Sequence, residues 1–178
     1  MTDPDSQLPL SAHADASDPL PRRPLGSGDG WVEGPDGRKF WGHFGAAGLL
    51  LVNREVGVLL QHRAGFSHFG GTWGIPGGAR HEDESAAQGA VREAHEEAGV
   101  PVSEVVIDFE SVWDLGWWSY TTVVGHIDEA FTPVIGDAES IEVRWVPVGD
   151  VDRLPLHPGL EASWPALRPR IEILLDSL

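Results

Sequence analysis

The sequence predicts a domain of the α/β or α+β class, because short apolar runs flank one amphipathic helix and a second helix ends the chain. The 178 residues are 41% hydrophobic and 22% charged, a composition typical of a soluble globular protein. This length corresponds to a single domain with room for a sizeable core.

Residues 1–30 differ in composition from the rest of the chain. They hold five proline and five aspartate residues and few large apolar side chains. Such a segment cannot bury enough apolar surface to offset the entropy lost on ordering, so we expect a disordered tail at 1–30. The folded domain is then expected over residues 31–178.

The first half of the domain is predicted to be strands. Residues 31–41 bracket a Pro-Asp-Gly turn, which indicates a hairpin because proline fixes φ and glycine is permissive. Two short apolar runs at 44–53 and 57–62 are predicted to be buried strands. A loop rich in glycine, phenylalanine and histidine follows at 64–72.

The part of the domain that follows the central helix is also predicted to be mainly strands. Residues 102–112 and 117–127 are rich in β-branched and aromatic side chains and flank a turn at 114–116, which predicts an antiparallel pair. Residues 128–140 form a predicted loop. Residues 141–148 alternate apolar and polar, as expected of another strand.

The last predicted element is a helix with Ser163 as its N-cap and Pro165 in its first turn. Its apolar residues recur at helical spacing and indicate core packing. They are Leu167, Ile171, Leu174, Leu175 and Leu178.

The central helix is the best-defined element of the sequence. Ser85 and Gln88 form a capping-box pattern at its start. Gly99 ends it, with Pro101 behind as a breaker.

Three glutamates gather near the end of this helix, where the macrodipole disfavours negative charge. Glu93, Glu96 and Glu97 lie three and four residues apart and share one face. Arg92 is the only cation nearby, so a bound divalent cation would explain the cluster, since hard oxygen ligands suit Mg²⁺ or Mn²⁺. A solvated acidic helix end is the alternative.

The surrounding residues follow the pattern G-x5-E-x7-R-E-(apolar)-x-E-E-x-G-(apolar) over residues 78–100. This stretch resembles the Nudix box, and every defined position matches. The positions are filled by Gly78, Glu84, Arg92, Glu93, Ala94, Glu96, Glu97, Gly99 and Val100. The resemblance implies the Nudix α/β/α sandwich, with a mixed β-sheet between helices.

The resemblance also implies hydrolysis of a nucleoside diphosphate linked to some further group X, with Mg²⁺ or Mn²⁺ as cofactor. Glu96 and Glu97 are then expected as metal ligands, together with the carbonyl group of Gly78. Glu93 is expected as a ligand or as a base that orients water. Arg92 is expected to pair with the acidic residues and to orient them.

Three further glutamates are candidates for metal contact or for the general base. Glu84 is expected as a ligand through water. The general base is not fixed by the box across the family, so Glu142 and Glu139 are candidates at the start of the strand at 141–148. The alternative for both is a glutamate on an exposed strand edge.

Substrate contacts are expected from arginine and aromatic side chains. Arg63 ends a predicted strand and suits bidentate phosphate contacts, and Arg80 is a second candidate. Trp117 and Tyr120, with Trp118 between them, are candidates for stacking on a base. Packing on the sheet is the alternative for these aromatic residues.

The net charge of −16 argues against nucleic acid or an anionic membrane as partner, because both require a basic surface. The absence of cysteine excludes disulfides and thiol catalysis. The N-terminus shows no signal-peptide pattern, so a cytoplasmic enzyme is expected. The resemblance also allows a homodimer.

Within the family, substrate cues favour a MutT-like hydrolase of (deoxy)nucleoside triphosphates by elimination. Leu115 and Gly116 stand where the ADP-ribose type tends to carry proline, and tryptophan stands where diadenosine polyphosphate hydrolases carry tyrosine. Hydrolases of ADP-ribose, nucleotide sugars or dinucleoside polyphosphates remain alternatives. A non-catalytic nucleotide-sensing domain is an alternative of another class, although such domains usually lose box glutamates.

Overall fold

One mixed sheet between two α-helices organises the computed structural model, which describes residues 10–13 and 24–178. In chain order the strands are β1 (Ser11–His13), β2 (Trp31–Glu33), β3 (Lys39–Trp41), β4 (Ala46–Asn53), β5 (Gly57–Arg63), β6 (Trp73–Gly74), β7 (Gly77–Ala79), β8 (Val106–Asp114), β9 (Ser119–His126) and β10 (Ser140–Val146). The helices are α1 (Ala86–Ala98) and α2 (Pro158–Ser177), with 3₁₀ turns at Val102–Glu104 and Val148–Arg153.

The main sheet runs β1-β10-β5-β4-β9-β8. Only β4 and β9 pair in parallel among the described strands, and the other neighbours are antiparallel. The separate pair β2–β3 is the hairpin predicted from the Pro-Asp-Gly turn. This is the mixed sheet between helices that the sequence resemblance implies.

Strand β4 is buried along its whole length because both faces of the sheet are covered. Alternate residues point to opposite faces. Leu49 and Leu51 pack with the alanine face of α1, while Leu50 and Val52 pack with α2. Strand β4, which the sequence predicts as a buried strand, therefore contributes side chains to two hydrophobic cores.

The sheet opens between β4 and β5. These strands pair only at Val52–Val58 and Asn53–Gly57, beyond which β7 pairs with β4 and β6 pairs with β5. Residues 73–79 thus fill the opening and lead directly into the loop before α1. This divergence brings the start of the glutamate-bearing segment into the centre of the sheet.

The expectation of a disordered tail stays a prediction, although the structure places Ser11–His13 at the edge of the main sheet. This segment pairs with β10, with Ser11 opposite Arg144, because the backbone groups of an edge strand accept a further strand whatever its side chains. Residues 24–30 lie against the loop before α1. Residues 1–9 and 14–23 lie outside the described part of the chain.

The predicted start of the last helix at Ser163 is wrong. The helix begins at Pro158, and the His157 ring accepts a hydrogen bond from the Gly159 amide at 3.1 Å. Burial lowers the pKa of His157 to about 4, which keeps the ring a neutral acceptor. Two prolines are tolerated inside α2 because its buried face packs on the sheet.

No helix among the described residues is long and apolar enough to cross a lipid bilayer.

Two isoleucines on α2 test this packing. Ile171 is 0% exposed and Ile173 is 71% exposed. We expect Ile171→Ala to lower the free energy of unfolding by about 2–5 kcal/mol, since it leaves a cavity in the core. The matched control Ile173→Ala should change it by less than about 0.5 kcal/mol. Urea unfolding monitored by tryptophan fluorescence measures both, and equal effects would contradict the assigned packing.

Candidate active site

Helix α1 has the limits that the sequence predicts. The Ser85 hydroxyl accepts a hydrogen bond from the Gln88 amide at 3.1 Å, and the Gln88 side chain accepts one from the Ser85 amide at 2.9 Å. Gly99 ends the helix with φ of 70°, a left-handed conformation that favours glycine. Both ends of the box helix are therefore fixed by local contacts.

The loop at 127–139 covers the C-terminal end of α1. The amides of Val134 and Gly136 donate to the carbonyl groups of Ala98 and Glu97 at 3.1 and 3.0 Å. A Cβ on Gly136 would lie 1.6 Å from the Glu96 carbonyl oxygen, so only glycine fits this approach. The loop thereby satisfies helix-end carbonyls and lies beside the carboxylates.

Arg92 is the centre of the carboxylate cluster. Its Nη1 donates to Glu93 at 2.7 Å and to Glu96 at 3.4 Å. Its Nε and Nη2 donate to the two carboxylate oxygens of Glu84 at 2.5 and 3.0 Å, and Nη2 also donates to the Ala79 carbonyl at 3.1 Å. The planar fork of arginine is suited to this arrangement, which a lysine cannot reproduce.

The charge pairing shifts both partners in the direction that favours their ionised forms. Hydrogen bonds from Arg92, and then from the His81 amide, lower the pKa of Glu84 below 4.5. The carboxylates of Glu84 and Glu93 raise the pKa of Arg92. The structure thus pairs Glu84 with Arg92, while its predicted contact to metal through water stays a prediction.

Glu93 and Glu97 are buried, with 6% and 3% of their surface exposed. A Glu97 carboxylate oxygen accepts a hydrogen bond from the Gly77 amide at 2.9 Å. A Cβ on Gly78 would lie 2.8 Å from the carboxyl carbon of Glu93. The paired glycines therefore let the backbone approach the carboxylates closely.

The described residues contain no group of three or more histidine, cysteine, aspartate or glutamate side chains already arranged to hold a metal ion. The donor set nevertheless fits a hard divalent cation, because it consists of carboxylate oxygens beside a side-chain-free backbone at Gly78. Arg92 holds two of these carboxylates in place from one side.

Tyr120 and Arg63 lie near this cluster. A Cβ on Gly48 would lie 2.2 Å from the Tyr120 hydroxyl, and Gly48 pairs with Gly77. Burial raises the pKa of Tyr120, with a further rise from the charge of Glu97 and an opposing effect of Arg63. The Tyr120 hydroxyl therefore lies against Gly48, which pairs with Gly77.

Arg63 also organises the loop that follows β5. Its Nε donates to the His68 carbonyl at 2.9 Å. Its positive charge acts both on Tyr120 and on His157 at the start of α2. The charge of Arg63 is therefore felt both at Tyr120 and at the N-terminal end of α2.

Trp117 and Trp118 pack against the β2–β3 hairpin. The Phe40 ring stacks on Trp118 at 4.4 Å between centroids and lies 5.8 Å from Trp117. Gly34 lies against the Trp117 ring, and the Trp118 indole donates to the Gly42 carbonyl at 3.1 Å. These contacts favour the packing alternative over base stacking for both residues.

Arg80 is engaged by the box loop, since its Nη2 donates to the Glu84 carbonyl at 2.6 Å. This contact favours support of the loop over phosphate binding.

Glu142 lies 3.6 Å from Arg144 of the same strand and 4.0 Å from His13 of the neighbouring strand β1. Its neighbour Val143 packs with α1, so strand alternation directs Glu142 to the opposite face of the sheet. Glu139 is exposed, and its carbonyl accepts a hydrogen bond from Ala64 at 2.7 Å. Glu142 therefore lies beside charged and titratable neighbours at this edge of the sheet, and its general-base role stays a prediction.

Asp137 is an acidic residue that the sequence reasoning missed. It is 4% exposed, and it accepts a hydrogen bond from the Glu139 amide at 3.0 Å. It follows the glycine that contacts the end of α1, so it lies in the loop beside Glu97. Its only sequence signal is an aspartate after glycine in a predicted loop, which does not reveal burial.

Comparisons with known proteins agree with this fold. Residues 42–167 match the NUDIX domain family. A Mycobacterium tuberculosis (strain H37Rv) protein named "Putative 8-oxo-dGTP diphosphatase 3" is 49% identical over 153 residues, which cover 80% of this chain and 70% of that protein. A Bifidobacterium longum protein named as a nucleoside triphosphate pyrophosphatase/Nudix hydrolase fusion is 42% identical over 83% of this chain and 32% of its own length.

Among solved structures, a Nudix hydrolase from M. smegmatis, RenU, is similar with a TM-score of 0.76 and 46% sequence identity. The match covers 82% of this chain and 96% of that one. Enzymes of this family act on pyrophosphate bonds and generally use divalent metal ions. With the family match over most of its length and the box complete, the chain belongs to the Nudix hydrolase family.

Proposed function

We propose that this enzyme hydrolyses the pyrophosphate linkage of (deoxy)nucleoside triphosphates, with oxidised guanine nucleotides such as 8-oxo-dGTP as the substrate class. The observation that carries the proposal is the buried carboxylate cluster around Arg92 beside Gly77 and Gly78. The M. tuberculosis relative, which is named for 8-oxo-dGTP, supports the choice of substrate. Nucleotide-pool housekeeping is the corresponding cellular role.

The proposed cofactor is Mg²⁺ or Mn²⁺. Glu93, Glu96 and Glu97 would hold it with the Gly78 carbonyl group, since all four supply hard oxygen atoms. When bound, such an ion neutralises phosphate charge and lowers the pKa of a bound water.

The protein's own residues then prepare the site. The Gly77 amide fixes one oxygen of Glu97, which directs the rest of that carboxylate. Arg92 limits the repulsion between Glu93 and Glu96 by donating to both. Glu84 in turn fixes the arginine fork through two hydrogen bonds.

Substrate phosphates are assigned to Arg63, and the Tyr120 hydroxyl is assigned to substrate binding beside it. Arg63 supplies positive charge next to an acidic cluster in a chain of net charge −16, where an anionic substrate requires local compensation. For the water-activating group, the proposal favours Glu93, with Asp137 as the nearby buried alternative to Glu142.

The proposal includes a cytoplasmic location and a homodimer. The dimer is supported by β8, an edge strand of the sheet, whose Val106, Val112 and Trp113 side chains are exposed.

A substrate panel tests the proposed function. Hydrolysis of 8-oxo-dGTP, dGTP, the other dNTPs, ADP-ribose, NADH and dinucleoside polyphosphates is measured with Mg²⁺ and with Mn²⁺. We expect the highest kcat/KM on a nucleoside triphosphate and release of a nucleoside monophosphate. Preference for ADP-ribose or a dinucleoside polyphosphate would overturn the substrate choice. Binding without turnover of any member would favour a sensing domain.

Glu97→Gln tests the metal-binding carboxylates. The amide oxygen can still accept the Gly77 hydrogen bond, so the fold should persist while one anionic ligand is lost. We expect kcat on the best substrate to fall by at least about a hundredfold, and Mn²⁺ affinity measured by calorimetry to fall with it. The matched control Glu104→Gln changes an exposed glutamate and should leave both unchanged. Wild-type turnover in Glu97→Gln would remove this residue from the site.

Arg92→Lys tests the arginine fork. Lysine keeps the positive charge but cannot donate to Glu84, Glu93 and the Ala79 carbonyl in one plane. We expect kcat to fall about 10- to 100-fold. The control Arg168→Lys breaks an exposed arginine pair with Glu172 and should retain full activity. Equal steady-state parameters for the two variants would show that charge alone suffices at position 92.

A further inference from the structure

Residues 26–30, Gly-Ser-Gly-Asp-Gly, lie across the loop that leads into α1, and we name them the glycine strap. At each of its three glycines, an added Cβ would come close to a neighbouring group. A Cβ on Gly28 would lie 1.8 Å from the Arg80 carbonyl oxygen. On Gly26 and Gly30 it would lie 2.2 Å from Nε2 of His81 and 2.1 Å from Nε2 of His43.

Hydrogen bonds fasten the strap on two sides. The carbonyl groups of Gly28 and Gly30 accept from the amides of His43 and Gly42, each at 2.8 Å. On the other side, the Ser27 hydroxyl accepts from the Glu82 amide at 3.2 Å. The strap therefore joins the turn before β4 to the loop after β7, at the end where these strands pair.

The fastened loop is the one that supports Glu84. The His81 amide donates to the Glu84 carboxylate at 2.9 Å, and Arg80 donates to the Glu84 carbonyl at 2.6 Å. Glu84 accepts hydrogen bonds from Arg92, and Arg92 also donates to Glu93 and Glu96. A continuous series of contacts thus leads from the strap to the metal-binding carboxylates.

We propose that the glycine strap is a positioning element of the active site, which fixes the loop at 80–84 so that Glu84 meets Arg92 in its bidentate geometry. The strap lies outside the Nudix box and acts through Glu84. Its part in metal binding rests on the proposed function, whereas its ordering of the loop does not. The physical reason is entropy: a loop already held in place loses less freedom when the carboxylates engage a cation.

The glycines differ in how severely a methyl group would disturb the strap. At Gly28 the obstacle is the Arg80 backbone, which cannot move without displacing the loop. At Gly26 the obstacle is the far end of the His81 ring, which can rotate away. The control is Gly149, where a Cβ meets no atom within 4 Å and φ is not in the left-handed region.

The first measurement is amide hydrogen exchange in full-length, metal-free protein. We expect Gly28→Ala to accelerate exchange at the His81 and Glu84 amides by at least about tenfold, because both are hydrogen-bonded within the loop. Gly26→Ala should have a smaller effect, and Gly149→Ala none. Unchanged exchange at these amides in Gly28→Ala would overturn the proposal.

The second measurement is Mn²⁺ affinity by calorimetry. We expect the dissociation constant to rise about tenfold in Gly28→Ala. In a Glu84→Gln background the same substitution should add little, because the strap acts through Glu84 and the two changes are not independent. Full additivity would show that the strap acts by another route and would overturn the assignment.

If Gly28→Ala does not fold, Ser27→Ala takes its place in the hydrogen-exchange measurement. It removes only the hydroxyl that accepts from the Glu82 amide, and we expect about threefold faster exchange in the loop. Exchange equal to that of wild type would overturn the proposal in that case. If wild-type protein binds no Mn²⁺, the metal site of the proposed function fails, and exchange in the variants still decides whether the strap orders the loop.

Discussion

The structure depends on the constraint that several carboxylates must be held close together on one helix. Arg92 meets this constraint by donating to Glu84, Glu93 and Glu96 from one planar group. The Gly77 amide fixes Glu97 from the sheet side. These contacts constrain the neighbouring sequence. The backbone at positions 77 and 78 must approach the carboxylates closely, and the loop before α1 must place Glu84 against Arg92, which lies eight residues later.

The opening between β4 and β5 gives this cluster its location. If the two strands paired along their full length, residues 73–79 could not enter the sheet, and the glycines would not reach the face of α1. The same opening brings Tyr120 and Arg63 near the carboxylates from neighbouring strands. Positively and negatively charged side chains therefore come together where the sheet is interrupted.

Local patterns predicted the box helix well, because caps and carboxylate spacing depend on residues three and four apart. The Nudix box likewise predicted the family and the sheet between helices. Other features depend on packing between distant segments. Asp137 is buried because its loop covers α1. The register of β10 shifts between Ser140 and Glu142, so the face of the sheet on which Glu142 lies cannot be read from the alternation of residues along the sequence. The start of α2 was missed because the His157 cap and the buried Leu160 fix a first turn that lies before Ser163.

The single parallel pair in the described sheet has a consequence for biosynthesis. Ala46 of β4 pairs with Tyr120 of β9, so the whole box must be made before the central strand gains this neighbour. At about 5–20 residues per second, the ribosome leaves β4 waiting for roughly 4–15 seconds. During that time a strand that is apolar on both faces is open to wrong partners. Strand β4, which contributes to both cores, therefore stays without its parallel neighbour until β9 has been made.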